Sequence, residues 1–156
     1  MSFLDKIFGK KQAAPEKPQV LQREGIKINL PSVDKETAIR AAGQLLHQLG
    51  CVDESYIDAM LEREKIVTTY MGMGIAIPHG TTQAKGTVKR SGIVVMQYPE
   101  GVEFGDEKAY LVFGIAGVGE EHLDLLGKIC SALEDEDLLE ELKTNANVET
   151  FLKVLG

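Results

Sequence analysis

No apolar run in the 156 residues approaches the roughly 20 that a membrane-spanning helix needs. The N-terminus also lacks a continuous apolar segment of about 7–15 residues ahead of a small-residue cleavage site, so no secretory signal is expected and the chain reads as cytoplasmic. Cysteine is scarce. Cys51 and Cys130 lie far apart with no CxxC spacing, and in a reducing compartment both read as buried small hydrophobes, not as a disulfide or metal ligands. His47, His79 and His122 are scattered without an HxxxH pair, which leaves a zinc site short of its three or four ligands, and no metal or cofactor is expected. The GxSxG elbow of serine hydrolases and the GxxxxGK[ST] loop of nucleotide-binding proteins are both absent. No internal repeat is present.

Positive charge is also in short supply. Lys and Arg total 17 against 24 Asp and Glu, for a net charge of −7. That balance argues against nucleic acid, which calls for a basic stripe. The deficit is uneven: residues 1–20 hold Lys6, Lys10, Lys11 and Lys17 against Asp5 and Glu16, so the remainder is more acidic than the whole. An acidic body keeps a protein soluble, and it also steers basic protein partners.

What is there describes one globular domain. Apolar residues make up 44% and charged residues 26%, and a chain of this length buries roughly 70% of its unfolded surface. "QAAPEKP" at 12–18 carries two prolines and no apolar period, so residues 1–19 read as an N-terminal arm and linker. Within the arm, Phe3, Leu4, Ile7 and Phe8 would share one side of a short helix, which is too brief to be stable alone; a disordered tail is the better expectation. The compact domain is expected over residues 20–156.

"IKINL" alternates like a strand and stops at Pro31. Asp34 can cap a helix in which Ile39, Ala42, Leu45, Leu46 and Leu49 recur at helical spacing up to Gly50. A second helix is expected from Asp53, with Ile57, Met60 and Leu61 inward and Glu62, Arg63 and Glu64 at its end. Strands follow at about 66–70, 75–77, 91–98 and 109–117. The last of these, "AYLVFGIAG", is continuously apolar, as a strand buried on both faces requires. Helices are expected near 121–133, 135–143 and 147–155. The fold class is therefore α/β: a single-domain sandwich with a mixed β-sheet flanked by helices.

The stretch "GIAIPHG" at 74–80 carries the chemistry. Pro78 lacks an N–H and has a fixed φ, so the strand cannot continue as a central ladder. Gly80 lets the backbone turn and admits a bulky group. His79 is thus presented outward at a sheet edge, followed by a polar loop, "TTQAKG". A neutral imidazole near its usual pKa of about 6.5 is a good nucleophile at neutral pH. A lone histidine is more often structural, but a core histidine needs no flanking hinge.

"MGMGIAIPHG", the preceding "LEREKIVTTY", "QYPEGVEFG" and "GIAGVGEEHLDLL" together resemble the enzyme IIA domain of the mannitol/fructose class in the bacterial phosphoenolpyruvate-dependent sugar phosphotransferase system. The similarity covers about residues 22–156. It implies a phosphocarrier: His79 would accept a phosphoryl group from the histidine-containing phosphocarrier protein and pass it to a cysteine of a IIB domain, driving uptake of mannitol or a related hexitol. It also places the family's second active-site histidine at His122 and its arginine at Arg63.

Each assignment has a physical rationale. A phosphorylated imidazole brings close to two negative charges into an acidic protein, so local donors must compensate. Arg63 offers a planar fork for phosphate oxygens. His122 stands where a strand hands over to a helix, with backbone N–H groups near an anion. Gly80 and Thr81, and less so Thr82, could add donors. His47 reads as structural. Enzyme IIA is often fused to its membrane-spanning permease, whereas no such segment is seen in this sequence, so the IIB and IIC partners are expected on other chains, with only peripheral membrane association through them. A second possibility is a regulatory module of the same fold, of the nitrogen-related type, in which phosphorylation switches a protein contact. A plain scaffold would require His79 to be buried and inert.

Overall fold

The computed structural model describes residues 20–144 and 147–155. The expectations for the N-terminal arm lie outside the described residues. Five strands form one sheet: β1 (Leu21–Lys27), β2 (Tyr70–Gly72), β3 (Ile75–Ala76), β4 (Gly92–Phe104) and β5 (Glu107–Ala116). Their spatial order is β1-β4-β5-β3-β2. The β1–β4 and β3–β5 pairs are parallel, while β4–β5 and β2–β3 are antiparallel. The mixed sheet is as expected.

The helices are α1 (Lys35–Gln48), α2 (Tyr56–Ile66), α3 (Glu121–Ala132), α4 (Glu136–Thr144) and α5 (Val148–Leu155). Alternation along β4 and β5 divides the core in two. Val94, Met96 and Val112 face Ile39, Leu46 and Met60 of α1 and α2. Ile93, Val95, Phe113 and Ile115 face Ile129, Leu142 and Phe151 of α3, α4 and α5. Both faces are covered, which explains why β5 reads as an unbroken apolar run. Among the described residues no helix is long and apolar enough to cross a membrane.

Asp34 caps α1 as expected, its carboxylate accepting from the Thr37 N–H at 2.8 Å. The Thr37 side chain first, and this backbone bond second, hold the Asp34 carboxyl below its usual value.

Several expectations are corrected. The first strand begins earlier, at Leu21, and takes in only Ile26 and Lys27 of "IKINL"; the rest leaves the sheet where Asn29 turns left-handed at φ 56°. Buried Gln97 holds that exit: its side-chain oxygen accepts from the Asn29 N–H at 3.0 Å, and its amide donates to the Leu142 carbonyl at 2.7 Å. Helix α2 starts three residues after Asp53. The expected strand at 66–70 is mostly helix end and turn, with Ile66 and Val67 exposed, and only Tyr70 joins a strand. The strand from 91 continues past Tyr98 to Phe104 through an irregularity in register between Gln97 and Val102. The expected loop "TTQAKG" winds, from its second residue, into a six-residue 3₁₀ helix, Thr82–Thr87. Cys51 is buried as expected, but Cys130 is exposed, because α3 turns Ile129 inward and its neighbour faces solvent.

Candidate active site

The parallel strands β3 and β5 end side by side, and the site lies beyond their C-terminal ends, where ligands of open α/β sheets characteristically bind. Beyond β3 the ladder continues for one bridge, His79 opposite Ile115, with the Ile115 N–H donating to the Pro78 carbonyl at 3.0 Å. His79 therefore stands at the end of an inner strand and not at a lateral edge of the sheet. It is half-buried, which departs from a fully outward ring while leaving one side open.

Which side is open follows from one hydrogen bond. His79 Nδ1 lies 2.8 Å from the Ile77 carbonyl oxygen. A carbonyl only accepts, so Nδ1 carries the proton and Nε2 keeps its lone pair. Burial is the main force holding the His79 pKa below its ordinary value; the Arg63 and His122 charges push the same way, and the Ile77 bond and Glu64 oppose them. At neutral pH the ring is uncharged.

His79 shares a small cleft with Arg63, His122, Gly80, Thr81, Thr82 and Tyr56. Its volume is about 90 Å³, well below the roughly 300–1,000 Å³ of pockets that enclose drug-sized ligands. The His122 ring lies 6.3 Å from His79, centroid to centroid, at 27° between planes. His122 is in the first turn of α3, and that turn is brought in tightly at Gly117, where a β-carbon would collide with the His122 backbone nitrogen. Ser91 steadies the same turn, accepting from the Val118 N–H at 2.9 Å and donating to the Glu121 carboxylate. Arg63, in the last turn of α2, donates from Nη1 to the Val67 carbonyl at 2.6 Å, which fixes one edge of its guanidinium and leaves other donors for the cleft.

The structure thus gathers His79, His122, Arg63, Gly80 and Thr81 in one place. It does not use Gly80 as an anion donor: the Gly80 N–H donates to the Tyr56 hydroxyl at 2.8 Å. His47 is elsewhere, its Nδ1 2.9 Å from the Val52 carbonyl, in the structural role expected of it. Among the described residues no group of His, Cys, Asp and Glu could hold a metal ion.

Tyr56 was missed. It is buried, and its hydroxyl donates to the Ile115 carbonyl at 2.8 Å while accepting from Gly80. One phenol thereby ties the segment after His79 to the central strand. Burial pushes its pKa up, which keeps the donating proton in place. The fit leaves no room for a side chain at Gly80, where a β-carbon would lie 2.5 Å from the Tyr56 ring. Gly80→Ala is expected to cost about 1–3 kcal/mol of stability as an overpacked site, read as a lowered urea midpoint. An unchanged midpoint would mean that this contact does not hold the site.

The sequence profile described as phosphoenolpyruvate-dependent sugar phosphotransferase system, EIIA 2, matches residues 19–156. The mannitol-specific phosphotransferase enzyme IIA component of Enterococcus faecalis is 52% identical over 135 residues, which cover 84% of this chain and 93% of that protein. The PTS system mannitol-specific EIICBA component of Pasteurella multocida is 46% identical over 148 residues, which cover 92% of this chain but 24% of that protein; the chain spans about a quarter of the fused relative. Among solved structures, enzyme IIAMTL in its complex with phosphorylated enzyme IIBMTL from Escherichia coli superposes with a TM-score of 0.81 at 43% identity, covering 85% of this chain and 94% of that one.

Proposed function

The chain belongs to the EIIA 2 family of the phosphoenolpyruvate-dependent sugar phosphotransferase system, and from that premise we propose that it is a phosphocarrier acting through His79 in the uptake of mannitol or a related hexitol. The donor is the phosphohistidine of the histidine-containing phosphocarrier protein, and the acceptor is a cysteine of a IIB domain, with transfer taking place in the cytoplasm. The observation that carries this reading is the Nδ1 contact with the Ile77 carbonyl, which leaves the Nε2 lone pair facing a cleft that Arg63 also lines.

In the first transfer the Nε2 lone pair forms the new N–P bond while the donor's N–P bond breaks, its electrons staying on the donor nitrogen. The phosphorylated ring is then formally cationic, and the Ile77 carbonyl, by accepting from Nδ1, stabilises that charge. In the second transfer a thiolate attacks phosphorus, an S–P bond forms, and His79 leaves with its electron pair as a neutral ring. Little covalent machinery is needed; alignment and charge stabilisation supply the rate. Arg63 holds equatorial oxygens through a planar fork. His122, at a helix N-terminus, adds a donor and favourable dipole ends. The acidic body, once phosphorylated, becomes more negative still, so a donor or acceptor with a basic face docks most readily.

The test is two-step transfer. Labelled phosphoenolpyruvate, enzyme I and the phosphocarrier protein should place one acid-labile group on the chain, and the isolated phosphoprotein should discharge onto a mannitol IIB domain. Labelling without discharge onto any sugar IIB domain would favour the regulatory use of the same chemistry.

A further inference from the structure

Glu64 sits in the last turn of α2, the end of a helix where a negative charge is disfavoured. It is also only 7% exposed. A buried carboxylate in that position needs compensation, and the structure supplies it from three residues. Thr69 donates twice, from its N–H at 3.0 Å and from its hydroxyl at 2.6 Å. Thr68 donates from its hydroxyl, and Lys35 on α1 approaches to 3.5 Å. The β-branched run after α2 is thereby folded back onto one carboxylate and kept from extending as a strand.

From that carboxylate a bonded path leads to the site. The Thr69 carbonyl accepts from the Ile77 N–H at 3.0 Å, and the Ile77 carbonyl accepts from His79 Nδ1 at 2.8 Å. The same turn contains Val67, whose carbonyl holds Arg63. The two groups proposed to engage the phosphoryl thus take their orientation from one short segment, and Glu64 is what pins that segment.

We propose that Glu64 is a positioning residue for phosphoryl transfer: through Thr69 and Ile77 it holds His79 as the Nδ1–H tautomer, and through the 64–69 turn it orients Arg63. The inference rests on the phosphocarrier reading above for its kinetic consequence, but its tautomer consequence is independent of it. Glu64 makes no contact with the phosphoryl group in this account. Lys35 offsets part of its charge within the cluster.

The experiment compares the full-length chain with Glu64→Gln and Thr69→Val. Gln keeps an acceptor but loses the charge and one acceptor oxygen. Val conserves the volume of Thr69 and the backbone bond while removing its hydroxyl, so it interrogates the same path should Glu64→Gln fail to fold. The ring nitrogen shifts of His79 are read by long-range ¹H–¹⁵N correlation with no phosphoryl donor present, and initial labelling rates are then measured. The wild-type chain is expected to show the Nδ1–H form. The variants are expected to show mixed tautomers and a 10- to 100-fold slower transfer, the size associated with a misplacement of about 1 Å. Folded variants with an unchanged tautomer and rates within about twofold of wild type would overturn the proposal. If the wild-type chain shows the fixed tautomer and the variants lose it, yet no chain is labelled, the positioning role stands and the carrier reading falls.

Discussion

A chain carrying His79→Ala is expected to take up no acid-labile phosphoryl group from phosphoenolpyruvate, enzyme I and the phosphocarrier protein. Removing a nucleophile that forms the covalent intermediate removes the reaction, and losses of about 10⁶-fold are known for such groups. His122 remains in the variant, so label at the wild-type rate would transfer the acceptor role to another residue. The pH dependence follows from the same ring. Burial first, then the Arg63 and His122 charges, hold the folded-state pKa of His79 below 6.5. Above that pKa Nε2 is unprotonated and the rate is full; below it the nucleophile is lost. Stability has the same sign. A histidine depressed in the folded state contributes stability that is present above the unfolded pKa of about 6.5 and lost as pH falls through the folded value. Urea midpoints of the wild type should therefore fall, on acidification just below pH 6.5, more than those of His79→Ala. Equal slopes would show that His79 titrates as it does in an unfolded chain.

Arg63→Ala is expected to leave the fold intact and slow labelling by about 10²–10³-fold, the loss typical of a donor aimed at developing transition-state charge. Arg63 donates to Val67 in a half-exposed turn, so the structural cost is small. Arg63→Lys should recover only part of the rate, because an ammonium supplies charge without the bidentate fork. The variant has a second signature. Arg63 is one of the charges that depress the His79 pKa, so Arg63→Ala should raise its NMR titration midpoint. Rates within about twofold of wild type would remove Arg63 from the phosphoryl site. An unmoved midpoint would mean that its charge does not reach the ring.

Much of the architecture was legible in the chain. Periodicity and the Asp34 cap placed α1, the acidic C-terminal segments placed α3, α4 and α5 to within two residues, and the apolar run at 109–117 marked the central strand. Pro78 and Gly80 singled out His79 because their conformational limits are local and visible in sequence. The failures share a cause. Val67, Thr68 and Thr69 have strand-forming side chains, yet Glu64 captures both threonines. "IKINL" alternates properly, yet Gln97, 68 positions from Asn29, redirects its end. Tyr56 carried no signal: its phenol acts between Gly80, 24 residues away, and Ile115, 59 away.

The sequence by itself therefore determined the α/β class, most of the helices and the one histidine flanked by a hinge, since steric limits and apolar spacing act between chain neighbours. Only the tertiary structure decided which ring nitrogen is free, what holds it so, and that Arg63 and His122 reach the same cleft. Those outcomes depend on hydrogen bonds and close approaches between segments far apart in the chain, and they exist only once β3, β5, α2 and α3 have packed.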